Sequence, residues 1–275
     1  MKLCVIGGAG ARSAFLTKSL VKSARDIRVD HIVLLDNDQQ KLKTYGEISR
    51  ELARRLDPEL TFEVTSDARA ALTGVDYIIT TIRAGGDAGR LFDERTCLAH
   101  GVLGQETTGA GGFAMAIRSV PTLVYYCTLA REVANPGHLI FNFTNPSGII
   151  TQALRSKGFD NVYGICDAPS GFIKQLEEIL DIPYGTLDIE CYGLNHLSWF
   201  RNAKVNGRDV QRELLDNPRT YEHSEMRLFT REMARISGDC MLNEYLYFYY
   251  RRVKSLSMIQ KADHPRGEMI YLTAA

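Results

Sequence analysis

The 275-residue chain has no excess of charge of either sign: 33 Lys and Arg balance 33 Asp and Glu. That balance excludes an overall field favouring nucleic acid or an anionic membrane surface. Long apolar runs are missing too, with none approaching the ~20 residues needed to span a bilayer. MKLCVIGGAG passes directly into a strand and a Gly turn without a signal-peptide cleavage pattern, so the cytoplasm is the expected location. Cysteine is sparse: the six, at 4, 97, 127, 166, 191 and 240, form no CxxC, and reduced thiols are expected. Internal repeats and low-complexity segments are absent. With 45% hydrophobic and 24% charged residues, what remains is a soluble globular protein of one large domain or two.

The order of elements is alternating. KLCVIGG reads as a short apolar strand, ARSAFLTKSLVKSA as a helix and HIVLLDND as a second strand closing on acids. Then KLKTYGEISRELARRL is helical, TFEVTS a strand, DARAALTG a short helix and VDYIITTI a strong strand. Repeated βαβ predicts an α/β fold, a Rossmann-like doubly wound parallel sheet with right-handed crossovers. IRSVPTLVYYCTLAREVA, HLIFNFTN, QALRSKG and VYGICD continue the alternation. From about residue 170 it gives way to a helix, FIKQLEEIL, then to strands with an NG turn in LDIECYGLNHLSWFRNAKVNGRD, and finally to a helical part rich in Arg and Tyr. The expected organisation is a nucleotide-binding domain over 1–170 and a mixed α/β substrate and metal domain over 171–275.

VIGGAGARSAF is a Gly-rich turn between the first strand and the first helix. Glycine permits the tight turn and lets the backbone approach a pyrophosphate seated on the helix N-terminus. Gly7, Gly8 and Gly10 are the candidate residues; Ser13 stands where the third Gly or Ala of the usual fingerprint falls. The second strand ends in Asp36, placed to accept from a ribose diol and to disfavour a 2′-phosphate, which favours NAD over NADP. A structural Gly turn without a cofactor is the alternative.

The stretch from Thr80 to Pro121 is too polar and too Gly-rich for core, and reads as a long functional loop at the rim of the sheet. The strand VDYIITTI delivers Arg83 to that rim. On residue type alone, Cys166 in GICDAPSG reads as a buried thiol at a strand end, and His196 in GLNHLSWF as a structural histidine.

Together TTIRAGG, GVLGQETTGAGGF, NFTNPSG, GICDAPSG, GLNHLSWF and YLYFYY resemble, in the same order, glycoside hydrolase family 4, the NAD-dependent 6-phosphoglycosidases and α-glycosidases. The likeness runs from residue 1 to about 270 and is nearest to the bacterial 6-phospho-β-glucosidases. The resemblance implies NAD and a divalent metal, usually Mn2+, held by Cys166 and His196. Two ligands are too few for a structural site, but suit a catalytic site that keeps positions open for substrate and water.

The implied reaction departs from the two-carboxylate glycosidases. NAD takes hydride from C3 of the sugar, the C2 proton becomes acidic, a base removes it, the aglycone leaves C1, water adds and the hydride returns. The resemblance assigns the base to Tyr245 in NEYLYFYY, and leaves Tyr247, Tyr249 and Tyr250 to packing or surface. A phenol near pKa ~10 needs a nearby cation to act as base at neutral pH.

Asp167 departs from the pattern. The 6-phospho-β-glucosidases usually carry Asn there, whereas 6-phospho-α-glucosidases carry Asp as general acid for the leaving group, so this position bears on the anomer. An Asp that orients the metal shell or caps a turn is the alternative. For the phosphorylated sugar, Asn145 matches a sugar-binding position, and Arg83 and Arg266 are candidates for a 6-phosphate. Glu106 is expected to support its loop or the cofactor. The resemblance also implies a homo-oligomer, a dimer or tetramer, with no nucleic acid or membrane partner. Family members continue well beyond the RGE motif, whereas this sequence stops at YLTAA. Rival readings are a 2-hydroxy-acid dehydrogenase sharing the first domain, and a non-catalytic NAD- or sugar-phosphate-binding protein.

Overall fold

Six short strands carry the first unit: β1 Lys2–Ile6, β2 His31–Leu35, β3 Thr61–Thr65, β4 Tyr77–Thr80, β5 Leu139–Asn142 and β6 Val162–Gly164. The computed structural model describes residues 1–274. All five pairings in this sheet are parallel, in the order β3-β2-β1-β4-β5-β6. This is the Rossmann order, with its switch point between β1 and β4. β1 and β2 are nearly continuous apolar runs because both faces are covered. Cys4 and Ile6 join Val33, Leu35, Ile78 and Ile140 in one cluster, while Leu3 and Val5 join Ile32, Leu34, Val21 and Ala53 in the other.

The expected long loop over 80–121 is mostly helical: Gly86–Ala99 and the start of Gly109–Val133. The reason is an inverted amphipathic pattern. The buried residues of Gly86–Ala99 are Arg90, Asp93 and Glu94, whereas Phe92 is 69% exposed. Apolar periodicity is blind to a helix whose inner stripe is charged. Ion pairs compensate that stripe, with Arg90 on Glu106 at 3.3 Å and Arg118 on Asp93. The 25-residue helix Gly109–Val133 is long and apolar enough to cross a membrane, contrary to the expectation that no segment would be. Its Leu123, Cys127, Leu129 and Ala130 pack in the core of this unit. Burial pushes the Cys127 thiol up to about 12, as it does that of Cys4.

The second unit comprises residues 101–103 and 166–263. Its sheet is antiparallel, in the order β10-β8-β7, with β9 also paired to β8; the strands are β7 Leu187–Leu194, β8 Leu197–Val205, β9 Arg208–Asp209 and β10 Met241–Leu242. The NG turn joins β8 to β9, with positive φ at both Asn206 and Gly207, as a two-residue hairpin loop demands. Phe172 and Phe200 meet edge to face at 4.9 Å in its core, beside Leu176, Met226 and Met241. The division by contacts falls between Ile165 and Cys166 rather than at 170, and residues 264–274 return to the first unit. There the helix Arg266–Ala274 lies along Gly86–Ala99, with Arg95 and Glu268 paired at 2.6 Å.

One buried acid weakens the second unit. Glu225 opens the short 3-10 turn Glu225–Leu228 and is 8% exposed. Burial pushes its carboxyl from the ordinary 4.5 up to about 7, against the pull of the Glu244 N–H. A carboxyl whose pKa is raised on folding costs nothing while protonated, so the penalty is absent below about 4.5, grows as pH rises to about 7 and is constant above. Glu225→Gln removes the charge. Measured by urea denaturation, its stability relative to the parent should rise by ~3 kcal/mol between pH 4.5 and 7.5; a difference independent of pH would contradict the account.

Candidate functional site

Two sets of residues, one in each unit, are the candidates for the chemistry. In the first unit, the turn after β1 is tied down by Gly7 and Gly8 N–H groups, both donating to the Leu35 carbonyl at 2.8 and 3.0 Å. Gly7 has φ +84, and a Cβ there would lie 2.9 Å from the Ile82 nitrogen; one on Gly8 would lie 2.9 Å from the Leu34 Cβ. Strand packing therefore requires both glycines. Gly10 differs, because no atom of the chain lies within 4 Å of where its Cβ would stand. The protein's own packing does not need that glycine, and the open space fits the close approach of a pyrophosphate. Behind it, the helix Ser13–Ser23 begins at Arg12 without a side-chain cap, which suits an anion at its N-terminus. Asp36 is half-buried and accepts from Ala9 N and Asp38 N, both at 3.1 Å. It thus braces the Gly turn, while each oxygen retains capacity for a ribose hydroxyl. These residues fit a dinucleotide.

Arg83 lies three residues beyond β4, at the carboxyl rim of the sheet. Its Nε sits 3.1 Å from Asp87, and its Nη1 donates to Glu106. Glu106 also receives Arg90, which is nearly buried and whose pKa is lowered chiefly by desolvation. Sequence reasoning missed this two-arginine clamp. The available signal was the i, i+3, i+4 spacing of Arg90, Asp93 and Glu94, which marks one helix face. Arg266, exposed at the start of the last helix, is a further positive charge acting on Arg90. Gly267 beside it is buried against the Glu94 carboxylate, whose pKa burial raises. Asn145 is half-buried in the loop after β5. That loop is braced by fully buried Asn142, whose Oδ1 accepts from Thr80 Oγ1 at 2.9 Å.

In the second unit, Cys166 and His196 come together: Sγ and Nε2 are 3.4 Å apart. His196 occupies the two-residue turn between β7 and β8, with φ +58, a left-handed conformation uncommon outside glycine. Gly193 has φ +118, and a Cβ there would collide with the Leu197 carbonyl, so the Gly of GLNH is dictated by the hairpin. Burial raises the Cys166 thiol pKa, while backbone hydrogen bonds from Ala168 and Asp167 and one from the Asn195 side chain favour the thiolate.

The separation is a test of fit for a metal. Ligand bonds of about 2.0–2.3 Å meeting at one ion at roughly 90–110° put sulfur and nitrogen about 3.1–3.6 Å apart. The pair fits. Among the described residues, no third His, Cys, Asp or Glu completes a cluster, which leaves an ion on this pair open to other ligands.

Tyr245 stacks on His196, with ring centroids 4.3 Å apart and planes at 21°, and is 6% exposed. The other tyrosines of the run separate from it. Tyr247 packs edge to face on Phe229 at 6.0 Å, and Tyr249 and Tyr250 are exposed. Asp167 is exposed at the N-cap of Ala168–Leu180, yet its side chain caps nothing; its carbonyl accepts from Gly171 N at 2.8 Å. Its Oδ1 is 4.0 Å from the Cys166 Sγ.

Comparisons with known proteins identify the family. The family model described as Family 4 glycosyl hydrolase matches residues 2–182, and that of the Family 4 glycosyl hydrolase C-terminal domain matches 191–273. The 6-phospho-beta-glucosidase BglT of Thermotoga maritima is 35% identical over 218 residues, covering 79% of this chain and 51% of the relative. A structure of the Thermotoga maritima 6-phospho-beta glucosidase with manganese, NAD+ and glucose-6-phosphate superposes with a TM-score of 0.89 at 29% identity, covering 100% of this chain and 65% of the other. A 6-phospho-alpha-glucosidase from gut microorganisms, in complex with NAD and Mn2+, gives 0.89 at 27% identity, covering 98% and 65%. The chain spans about half the length of the curated relatives it matches. Matched over nearly its whole length by the two family models, the chain belongs to glycosyl hydrolase family 4.

Proposed function

We propose that this chain carries the apparatus of a 6-phosphoglucosidase that works by transient oxidation at C3 and elimination across C1 and C2. The observation that carries the reading is the Cys166–His196 pair at 3.4 Å with Tyr245 stacked on the histidine. Two ligating side chains beside a buried phenol suit removal of a proton from a carbon next to a polarised oxygen. They do not suit the paired carboxylates of other glycosidases.

When bound, NAD supplies a hydride acceptor and a divalent ion such as Mn2+ a Lewis acid for the sugar oxygens. The chain does the rest. Gly7, Gly8 and Gly10 form the pyrophosphate turn, and Asp36 receives the ribose hydroxyls. Cys166 Sγ and His196 Nε2 hold the metal. Tyr245 Oη takes the C2 proton, its phenolate favoured by a cation that the neighbouring pair would hold. Asp167 gives a proton to the departing glycosidic oxygen. Asn145 donates to and accepts from vicinal hydroxyls. Arg83 and Arg266 attract the 6-phosphate. Asp87 and Glu106 engage two of the five N–H donors of Arg83 and orient its guanidinium at the rim.

A β linkage is favoured by the likeness to the Thermotoga maritima 6-phospho-beta-glucosidase. Asp167 is the residue that argues for an α linkage, because an acid there serves a leaving group on one face of the ring only.

Release of nitrophenol from α- and β-linked nitrophenyl 6-phosphoglucosides, with and without NAD and Mn2+, tests the reading. Turnover of the β substrate that needs both cofactors is expected. Turnover independent of NAD would overturn the mechanism, and preference for the α substrate would overturn the linkage. Cys166→Ser should weaken Mn2+ binding in calorimetric titration by more than ~100-fold, since loss even of an outer-shell partner costs about 10–100-fold, while NAD affinity stays unchanged. Equal Mn2+ affinity in the two chains would remove Cys166 from the metal site.

A further inference from the structure

Glu225 is buried at a cost in stability, and its contacts suggest what that cost is for. Its Oε2 accepts from Asn243 Nδ2 at 2.9 Å and from Glu244 N at 3.0 Å, and its own N–H donates to Gln175 Oε1 at 2.9 Å. Because that Glu225 oxygen accepts, the amide of Asn243 turns its NH2 toward Glu225 and its oxygen away. That oxygen accepts from Tyr245 N at 3.2 Å. From the opposite side, Asn243 N donates to the Ser198 carbonyl at 3.1 Å, two residues beyond His196 in β8. The turn that presents Tyr245 is thus clamped between the strand that follows His196 and a single carboxylate oxygen. Asn243 itself is 1% exposed, so no water competes for its amide.

We propose that Glu225 is the positioning residue for Tyr245: through Asn243 it fixes the backbone at 243–245 so that the phenol ring stays stacked on His196. The proposal rests on the reading of Tyr245 as the base and adds how the base is held. Neither Glu225 nor Asn243 belongs to the motifs that carry the metal pair. An acid retained in the core despite its desolvation is explained by orientation rather than by stability.

The test compares Glu225→Ala, Glu225→Gln and the shortened Glu225→Asp in the 275-residue chain, with folding checked by circular dichroism. The first readout is the aromatic proton–carbon NMR signal of His196, assigned by its loss in His196→Gln; ring current from the stacked Tyr245 sets its shift. In Glu225→Ala it should move toward the shift of an unstacked histidine, and in Glu225→Gln, which keeps an acceptor oxygen, it should stay. The second readout is turnover: kcat should fall about 10²-fold in Glu225→Ala with KM within about twofold, because a displacement of ~1 Å at a reacting group costs on that order. Glu225→Gln should restore it. If Glu225→Ala does not fold, Glu225→Asp is expected to show the same displaced signal.

An unmoved His196 signal in a folded Ala or Asp variant overturns the proposal, as does a Gln variant as impaired as Ala. Absence of turnover in the parent chain is a different result. It counts against the proposed function as a whole, and the NMR signal still decides whether Glu225 orients the ring.

Discussion

The 3.4 Å approach of Cys166 Sγ to His196 Nε2 is the contact on which the rest of the candidate site depends. Neither residue could reach it by local preference alone. His196 is held in a left-handed conformation by a hairpin whose first strand has, one residue before its end, a glycine that tolerates no side chain, and whose second strand runs directly into the core at Phe200. Cys166 enters just before the helix Ala168–Leu180, whose Phe172 packs edge to face on that same Phe200. One aromatic contact in the second unit therefore ties together the two segments that carry the candidate ligands. A loose core here would disturb the approach of these two side chains before it was felt as unfolding.

Much of this could be read from the chain itself. The parallel sheet was legible because buried parallel strands are nearly continuous apolar runs and their crossovers carry helical period. The NG turn was legible because few sequences fit two successive positive φ values. The helix Gly86–Ala99 was not, because its buried stripe is Arg90, Asp93 and Glu94, and its glycines lie where loops usually have them. Cys166 and His196 were unreadable by type. Each is an ordinary core residue until a hairpin thirty positions away is closed. The return of residues 264–274 to the first unit also left no local signal, since it rests on contacts with a helix some 170 residues earlier.

The two units divide the proposed chemistry along lines that their physics suits. A parallel sheet with a Gly turn at its switch point binds a dinucleotide with backbone groups and one carboxylate, and needs little from side chains. The second unit supplies soft and borderline donors, a sulfur and an imidazole, and a phenol packed against them. Two carboxylates buried there are matched: Glu225 to Asn243 and Glu244, and Glu177 to the backbone of Thr186 and Leu187. Matched buried carboxylates make a rigid frame, which a base of intrinsically high pKa needs if it is to meet one carbon-bound proton.

The central claim is that bond cleavage proceeds through loss of the C2 proton rather than by direct displacement at C1. Turnover in deuterium oxide, followed by proton NMR of the released sugar 6-phosphate, tests it most directly. The account predicts one deuterium at C2 of the product, with incorporation suppressed in Tyr245→Phe. Product that keeps its C2 hydrogen throughout would contradict the account.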